Sequence, residues 1–403
     1  MLKLVVIGNG MAGMRTVEKL LSAEPNKYTI TVFGSEPYGH YNRIMLSSLL
    51  SGEKAIEDIF INSHQWYCDN AITLYAGIDK TVVRIDRKNR VVYTQDGTIA
   101  HYDKLVIATG SEAIIAAIPG NTLQGVISFR NIFDVNKMLT YSKSHKKAVV
   151  LGGGLLGLEA ANGLVSRGMD VTVIHNNEVL LNRQIDRHAG KILQQELEQK
   201  GLKFKMDAKT EQLLGDENGH LTTVRFEDNS ELPCDLFIMA IGIKPNIELA
   251  KKSDIYCEKG IVVNDSLQSN DPHIFAVGEC IQHRGDTFGL VAPCFEQARV
   301  CANNLSNNVV AEYMKFPVPT KLKVTGITLF SIGDFIGDNH SETIQFTDPA
   351  LGIYKKLVIN ANKLVGAVLY GDTTDSNWYQ ELLEKQESIT EIRDLLIFGK
   401  AYV

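Results

Sequence analysis

Apolar and polar positions fall into a pattern that occurs twice along the chain. Residues 2–8 form a short, nearly unbroken apolar run. Gly8-Asn9-Gly10-Met11-Ala12-Gly13 then interrupts it, after which Met14, Val17, Leu20 and Leu21 recur at helical spacing. The order predicts strand, tight turn, helix. A second apolar strand, Tyr28 to Phe33, ends at Gly34-Ser35-Glu36-Pro37 and completes a βαβ unit of ordinary length. The same order returns with Ala148 to Leu151 as strand and Gly152-Gly153-Gly154-Leu155-Leu156-Gly157 as turn. A helix to about Arg167, a stop at Gly168 and a strand from Val171 to Ile174 follow.

Between the copies, Val82 to Asp86, Val91 to Thr94 and Thr98 to His101 read as short antiparallel strands joined by Lys88-Asn89 and Asp96-Gly97 turns. The run Lys104 to Ile107 reads as a buried strand closed by the small-residue turn Ala108-Thr109-Gly110. Leu236 to Gly242 is its parallel in the second copy. After Phe316-Pro317-Val318-Pro319 the texture becomes strand-like alternation, with Leu322 and Val324, then Ile327 and Leu329 offset by Gly326. A hairpin crosses Asn360-Ala361-Asn362-Lys363, and an amphipathic tail carries Ile389, Ile392, Leu395, Leu396 and Ile397. The expected fold class is α/β, with two Rossmann-like dinucleotide-binding domains and a C-terminal α+β domain.

In a G-x-G-x-x-G turn the first glycine permits the bend, the second lets a pyrophosphate approach the backbone, and the third lets helix and strand pack closely. The helix N-terminus adds free N–H groups and partial positive charge. Gly8, Gly10 and Gly13, with Met11 and Ala12 between, meet this description. So do Gly152, Gly154 and Gly157, with Leu155 and Leu156 between. The residue ending each second strand is placed to read a ribose. In the first copy this is Glu36; in the second it is His175, followed by Asn176 and Asn177. No carboxylate stands there to repel a 2′-phosphate, and no arginine immediately follows to attract one, so the choice between NADH and NADPH stays open.

Composition removes several function classes. The 403 residues hold 41 basic and 47 acidic side chains for a net charge of -6, without a long basic run, so no nucleic-acid partner is expected. Lys143, His145, Lys146 and Lys147 read as a solvated loop. The longest apolar stretch, Leu236 to Ile243, is far short of the roughly 20 residues of a membrane helix, so no membrane partner is expected. The first residues lead straight into a strand, without a signal-peptide pattern, and a cytoplasmic protein is expected. None of the six cysteines has the spacing of a metal ribbon or iron–sulfur motif, so no metal is expected and they read as reduced thiols in cores and loops.

Four further motifs point to one group: Ala108-Thr109-Gly110, Ile118-Pro119-Gly120, Gly242-Ile243-Lys244-Pro245-Asn246 and Ile274-Phe275-Ala276-Val277-Gly278-Glu279. With the two glycine turns they resemble the two-dinucleotide flavoprotein reductases over essentially the whole chain. Asn9 to Arg15, Tyr41-Asn42-Arg43-Ile44-Met45-Leu46-Ser47, Gly278-Glu279-Cys280 and His283-Arg284-Gly285 are most similar to the FAD/NAD(P)H module of the large subunit of assimilatory nitrite reductases, with NADH:rubredoxin reductases as close relatives. The resemblance implies an FAD domain from 1–112 and 243–311, an NAD(P)H domain from 113–242 and a C-terminal domain from 312–403. It also implies Val82, Ala108, Thr109, Gly110 and Arg130 around FAD, with the Glu279 carboxylate on the ribityl chain where many relatives have Asp, and Ser47, Gly242 and Gly278 among the cofactor-binding residues. Glu159 would stand beside the nicotinamide. A glutamate in a helix's first turn also suits the helix dipole without any such role.

The segment after Glu36 bears on the reaction type. Disulfide reductases of this superfamily need two cysteines here, and related oxidases and peroxidases need one; Tyr38 to Ser47 has none. Cys68 is the nearest, and Trp66-Tyr67 beside it suggest a packed position. Arg43 is the informative charge, read either as a cation at the flavin's pyrimidine edge or as a salt bridge at the surface. Ser48 stands where ferredoxin-type reductase relatives often carry lysine. The helix begun by Pro293-Cys294-Phe295 points its N-terminus at the flavin in relatives, with Cys294 a packing residue. The expected reaction carries electrons from NADH or NADPH through FAD to a separate acceptor protein with an iron centre. A thiol- or peroxide-reducing flavoenzyme and a redox-silent dinucleotide sensor are the rival readings. The expected chain is a free-standing reductase or a module of a longer subunit, and its C-terminal region serves as a structural cap, a subunit contact in a homo-oligomer or an acceptor-docking surface.

Overall fold

From Leu4 to Ile7 every side chain of the opening strand is buried on either face, as a central parallel strand covered by helices requires. The computed structural model describes residues 1–306, 310–322, 324 and 326–403. Positions 307–309, within the expected range 243–311, and 323 and 325, within 312–403, lie outside the described residues. The chain divides into two compact units: Met1–Leu46, Lys54–Glu112 and Gly242–Lys315 form the first, and Ser47–Glu53, Ala113–Ile241 and Phe316–Val403 the second.

The first unit is built on a five-stranded parallel sheet in the order Ile274–Ala276, Lys104–Ile107, Leu2–Ile7, Tyr28–Gly34, Thr73–Ala76. Helix Met11–Ala23 packs on helix Val291–Ser306, where the Arg15 guanidinium lies 5.3 Å from the centre of the Phe295 ring. The expected small antiparallel sheet is present as Val82–Asp86, Val91–Thr94 and Ile99–His101. His283 and Arg284 both bind Asp265, whose backbone carbonyl accepts the Tyr313 N–H at 2.7 Å, and this ties the 311–315 segment to the unit.

The second unit repeats the design. Its parallel sheet runs Val126–Ser128, Leu236–Met239, Lys147–Leu151, Asp170–Ile174, Lys203–Lys205, so the glycine turn again follows the central strand. Helix Leu46–Ser51 runs into this unit: Arg167 donates to the carbonyls of Leu49 and Leu50, and a Cβ on Gly163 would lie 2.9 Å from Leu50 Cγ. An antiparallel sheet of Thr210–Gly215, Leu221–Phe226 and Glu231–Pro233 is an addition the hydrophobic pattern did not announce.

The C-terminal residues form a five-stranded antiparallel sheet in the order Thr320–Lys321, Leu329–Gly333, Lys363–Tyr370, Ile353–Asn360, Glu342–Asp348. Ala361 and Asn362 take φ values of 47° and 57°, the paired left-handed geometry of a two-residue hairpin. One expectation is corrected. Leu322, Val324 and Ile327 are buried but lie outside any strand, because the chain turns at Gly326 and the strand begins only at Leu329. The amphipathic tail consists of turns and short 3₁₀ segments that bury Ile389, Leu396 and Ile397 beside Tyr379, Leu382 and Leu383. On the sheet's other face, Tyr354 donates to Asp186 at 2.6 Å, Tyr370 to Glu196, and Ser331 to the Gln184 carbonyl.

Candidate functional site

The two glycine turns match group for group. Gly8 donates its N–H to the Phe33 carbonyl at 2.8 Å, and Gly152 donates to Ile174 at 2.9 Å. The strand beside each central strand continues into an alanine whose N–H bonds back: Ala108 to Ile7 at 2.7 Å, and Ala240 to Leu151 at 2.9 Å. A Cβ on Gly8 would lie 2.0 Å from the Ala108 oxygen, and one on Gly152 2.4 Å from that of Ala240. A Cβ on Gly13 would lie 2.3 Å from the Gly8 oxygen, and one on Gly157 1.9 Å from that of Gly152. The first and third glycines are therefore demanded by the protein's own backbone. The second is not: a Cβ on Gly10 or Gly154 meets nothing within 4 Å.

Open space at the middle glycine is what an approaching pyrophosphate needs, and the helices following it are prepared for an anion. Met11–Ala23 and Leu155–Ser166 begin at Gly10 and Gly154 without a capping side chain and with no acidic residue in the first turn. Two other helices of the second unit are closed by their own side chains, Asn131 onto Asp134 and Asp186 onto Ala189.

Around the first turn, the Glu36 carboxylate accepts from Tyr41 at 2.8 Å and from Arg43 at 2.7 Å. Arg43, expected either at the flavin's pyrimidine edge or in a salt bridge at the surface, is thus held by the carboxylate expected to read the ribose. The pair is neither solvent-exposed nor fully enclosed, at 27% and 22% exposure. Burial opposes the charge on Arg43, but Tyr41, Glu36 and Glu279 outweigh it and hold the guanidinium above its ordinary value. Thr109 and Asn246 bond reciprocally, and the Asn246 N–H caps the Gly110 carbonyl at 2.9 Å. Ser111 donates to Glu279 at 2.7 Å. A Cβ on Gly278 would meet that of Ala12 at 2.9 Å, and its N–H bonds to Gln297 at 2.7 Å, so the Gly278-Glu279 turn rests on the start of the opening helix. Val82 is buried at the head of its strand.

Around the second turn the placements differ more from expectation. Glu159 is buried and sits on the second turn of its helix, not the first, so dipole complementarity at the helix start does not account for it. Arg130 donates its backbone N–H to Asp134 at 2.7 Å in the second unit. Ser47, in the same unit, is buried with its hydroxyl unpartnered among the described residues. Gly242 follows the parallel strand with φ 128°. His175, expected to read a ribose, is instead buried with both ring nitrogens bonded to backbone, to Gly153 at 3.2 Å and Val179 at 3.1 Å. Sequence reasoning missed the Ala108 and Ala240 carbonyls as the partners of the first glycines; the matching small-residue turns were the available signal.

No disulfide joins the cysteines among the described residues. All six are free; burial pushes the thiols of Cys234, Cys280 and Cys301 up, and that of Cys257 to about 11. Cys68, expected to be packed, is exposed on helix His64–Asp69 because the helical rotation that buries Tyr67 turns its neighbour outward. No group of three or more metal-ligating side chains occurs among the described residues, and no helix among them is long and apolar enough to cross a membrane.

Two five-stranded parallel sheets, each with a glycine cradle after its central strand, define a two-dinucleotide oxidoreductase architecture. The family model for pyridine nucleotide-disulphide oxidoreductases matches residues 2–301, and the chain belongs to that family. A model for the rubredoxin NAD+ reductase C-terminal domain matches residues 317–387. Among curated relatives, nitrite reductase [NAD(P)H] of Bacillus subtilis is 45% identical over 98% of this chain and 49% of its own length. The assimilatory nitrate reductase electron transfer subunit of the same organism is 42% identical over 98% and 51%. The chain thus spans about half the length of these relatives. The solved NADH:rubredoxin oxidoreductase of Clostridium acetobutylicum is 27% identical, with a TM-score of 0.81 over 98% of both chains.

Proposed function

We propose that this chain is a reductase that binds FAD on the Gly8–Gly13 cradle and NADH or NADPH on the Gly152–Gly157 cradle, and delivers electrons to a separate protein with an iron centre. The observation that carries the reading is the duplicated open middle glycine, each followed by an uncapped helix. Bound together, the two dinucleotides supply hydride transfer from nicotinamide to flavin and release of the electrons one at a time.

The protein's part is positioning and charge. On the FAD side, Glu36 with its Arg43 and Tyr41 partners serves the ribose, and Thr109 and Gly110, locked by Asn246, form the wall beside the cradle. Ser111 orients Glu279 toward the ribityl chain. Val82 and Gly278, in the same unit, complete the proposed contacts, and the N-terminus of helix Val291–Ser306 adds partial positive charge that favours the reduced flavin. On the other side, buried Glu159 serves the nicotinamide. Burial favours the protonated thiol at Cys234, Cys280 and Cys301, which counts against a sulfur relay through them.

The iron-centred acceptor is supported by the names of relatives, which include nitrite reductases and an NADH-rubredoxin oxidoreductase. Anaerobic titration of the flavin-loaded protein with NADH and NADPH, followed by mixing with rubredoxin, ferredoxin and an iron–sulfur/sirohaem protein, tests the reading. Bleaching of the flavin and its reoxidation by one of these carriers is expected. A protein that takes up no flavin, or whose reduced flavin reacts only with peroxide or disulfide, refutes it.

A further inference from the structure

The middle residue of each cradle is secured in a different way. In the first, Asn9 uses its own side chain: Oδ1 accepts from the Tyr67 hydroxyl at 2.6 Å and Nδ2 donates to the Tyr38 carbonyl at 3.0 Å. In the second, Gly153 has no side chain, and an imidazole takes its place. The Gly153 N–H donates to Nδ1 of His175 at 3.2 Å, while Nε2 lies 3.1 Å from the Val179 carbonyl. A carbonyl only accepts, so Nε2 carries the proton, and the neutral Nε2–H form satisfies both contacts. A Cβ on Gly153 would lie 2.9 Å from the ring's Cγ and 2.7 Å from Leu180 Cδ2, so the ring fills the space behind the turn.

The strut is itself braced. The Gly153 carbonyl accepts from the Leu181 N–H at 3.0 Å, and the Leu181 carbonyl accepts from Gln184 at 2.7 Å. The Gln184 carbonyl takes the Ser331 hydroxyl. The backbone of His175 is fixed to Lys205 and Ala208, each at 3.0 Å.

We propose that His175 is a positioning residue for the pyridine-nucleotide site: as a neutral imidazole it sets the second glycine turn from behind, and it does not read the adenosine ribose or a 2′-phosphate. This rests on the reading that the Gly152–Gly157 cradle takes NADH or NADPH. Burial holds His175 below the ordinary histidine value, with the Val179 carbonyl and Asp207 opposing. The other charged groups nearby are engaged elsewhere: Lys205 with Asp228 and Ser230, and Glu178 with Arg187. Protonation would turn an N–H at Nδ1 against the N–H of Gly153 and loosen the turn.

The test is calorimetric binding of NAD+ and of NADP+ to the flavin-loaded chain between pH 5 and 8, with the flavin spectrum and circular dichroism reporting the fold. In the wild type, affinity for both nucleotides falls as the pH drops below the ordinary histidine value of about 6.5. His175→Asn keeps an acceptor for Gly153 and does not titrate, so it binds within about threefold of wild type at pH 7.5 and loses the acid limb. His175→Phe keeps the shape but strands a buried N–H, which weakens both nucleotides about tenfold at every pH. Tighter NADP+ binding on acidification of the wild type, lost in His175→Asn, overturns the proposal, because it places the ring's charge on the phosphate. If His175→Phe does not fold, the comparison of pH profiles between wild type and His175→Asn still decides. A wild type that binds neither nucleotide refutes the assignment of the cradle instead.

Discussion

Thr109 and Asn246 hold each other in both directions: the Thr109 hydroxyl donates to the Asn246 carbonyl at 2.7 Å, and the Asn246 amide donates to the Thr109 carbonyl at 3.0 Å. They are far apart in sequence, so the bond closes the wall beside the first cradle across a long chain excursion. Asn246→Ala removes the amide donor and leaves the Thr109 carbonyl without it, a loss of about 1–2 kcal/mol. A lower urea midpoint and faster flavin release under dialysis are expected together. An unchanged release rate would mean that this turn does not border the flavin.

The glycines offer a sharper test, because their demands differ by position. Gly10→Ala and Gly154→Ala place a methyl in open space, on backbones whose φ values of -98° and -86° an alanine accepts. Both variants should fold normally; the first should fail to retain FAD, and the second should retain FAD but lose reduction by NAD(P)H. Gly8→Ala sets a Cβ against the Ala108 carbonyl at φ +122° and should compromise folding itself. Flavin content, reduction by NADH or NADPH and circular dichroism of the purified variants separate the three outcomes.

This contrast also marks what could be read in advance. Both βαβ units and the 360–363 hairpin were legible because strand, turn and helix are contiguous there, and periodicity records local order. The same holds for the buried Lys104–Ile107 and Leu236–Met239 strands. The contacts of His175 were not legible because the pattern gives a residue's place on the strand but not the partners of its side chain, and those partners, Gly153 and Val179, are set by loop geometry. Arg43 met Glu36 for the same reason. The tail shows the limit of a hydrophobic count: Ile389, Leu396 and Ile397 are buried as a helical stripe would be, yet turns deliver them.

Glu36 and Arg43 should behave as one unit. Glu36→Gln keeps an oxygen for Tyr41 but removes the charge that Arg43 answers, while Arg43→Met leaves the carboxylate without its cation. Each single change should weaken flavin binding, and the double variant should cost less than the sum, with a coupling of about 1 kcal/mol for a partly screened pair. Equilibrium flavin titrations of the four proteins measure it; strict additivity would show that the pair does not act jointly on the ligand.

His40 makes the first unit sensitive to acid. The residue is 2% exposed, and its backbone N–H donates to the Tyr67 hydroxyl, which in turn donates to Asn9 of the cradle at 2.6 Å. Burial pushes the imidazole down to about 4, against the pull of Glu18 and Asn62 and with help from Arg43. The unfolded chain takes up this proton near pH 6.5 and the folded chain only near 4, so between the two the unfolded state binds more protons and stability rises with pH. Stability is whole above pH 6.5 and falls as the pH drops toward 4, by about 3 kcal/mol for this group. His40→Phe removes the titration, so its urea unfolding free energy should depend less on pH than the wild type's across that window. Parallel curves for the two proteins would mean that His40 is solvated or already charged when folded. Because Tyr67 links His40 to Asn9, flavin loss from the wild type should accelerate over the same range, and the His40→Phe protein should be spared that acceleration.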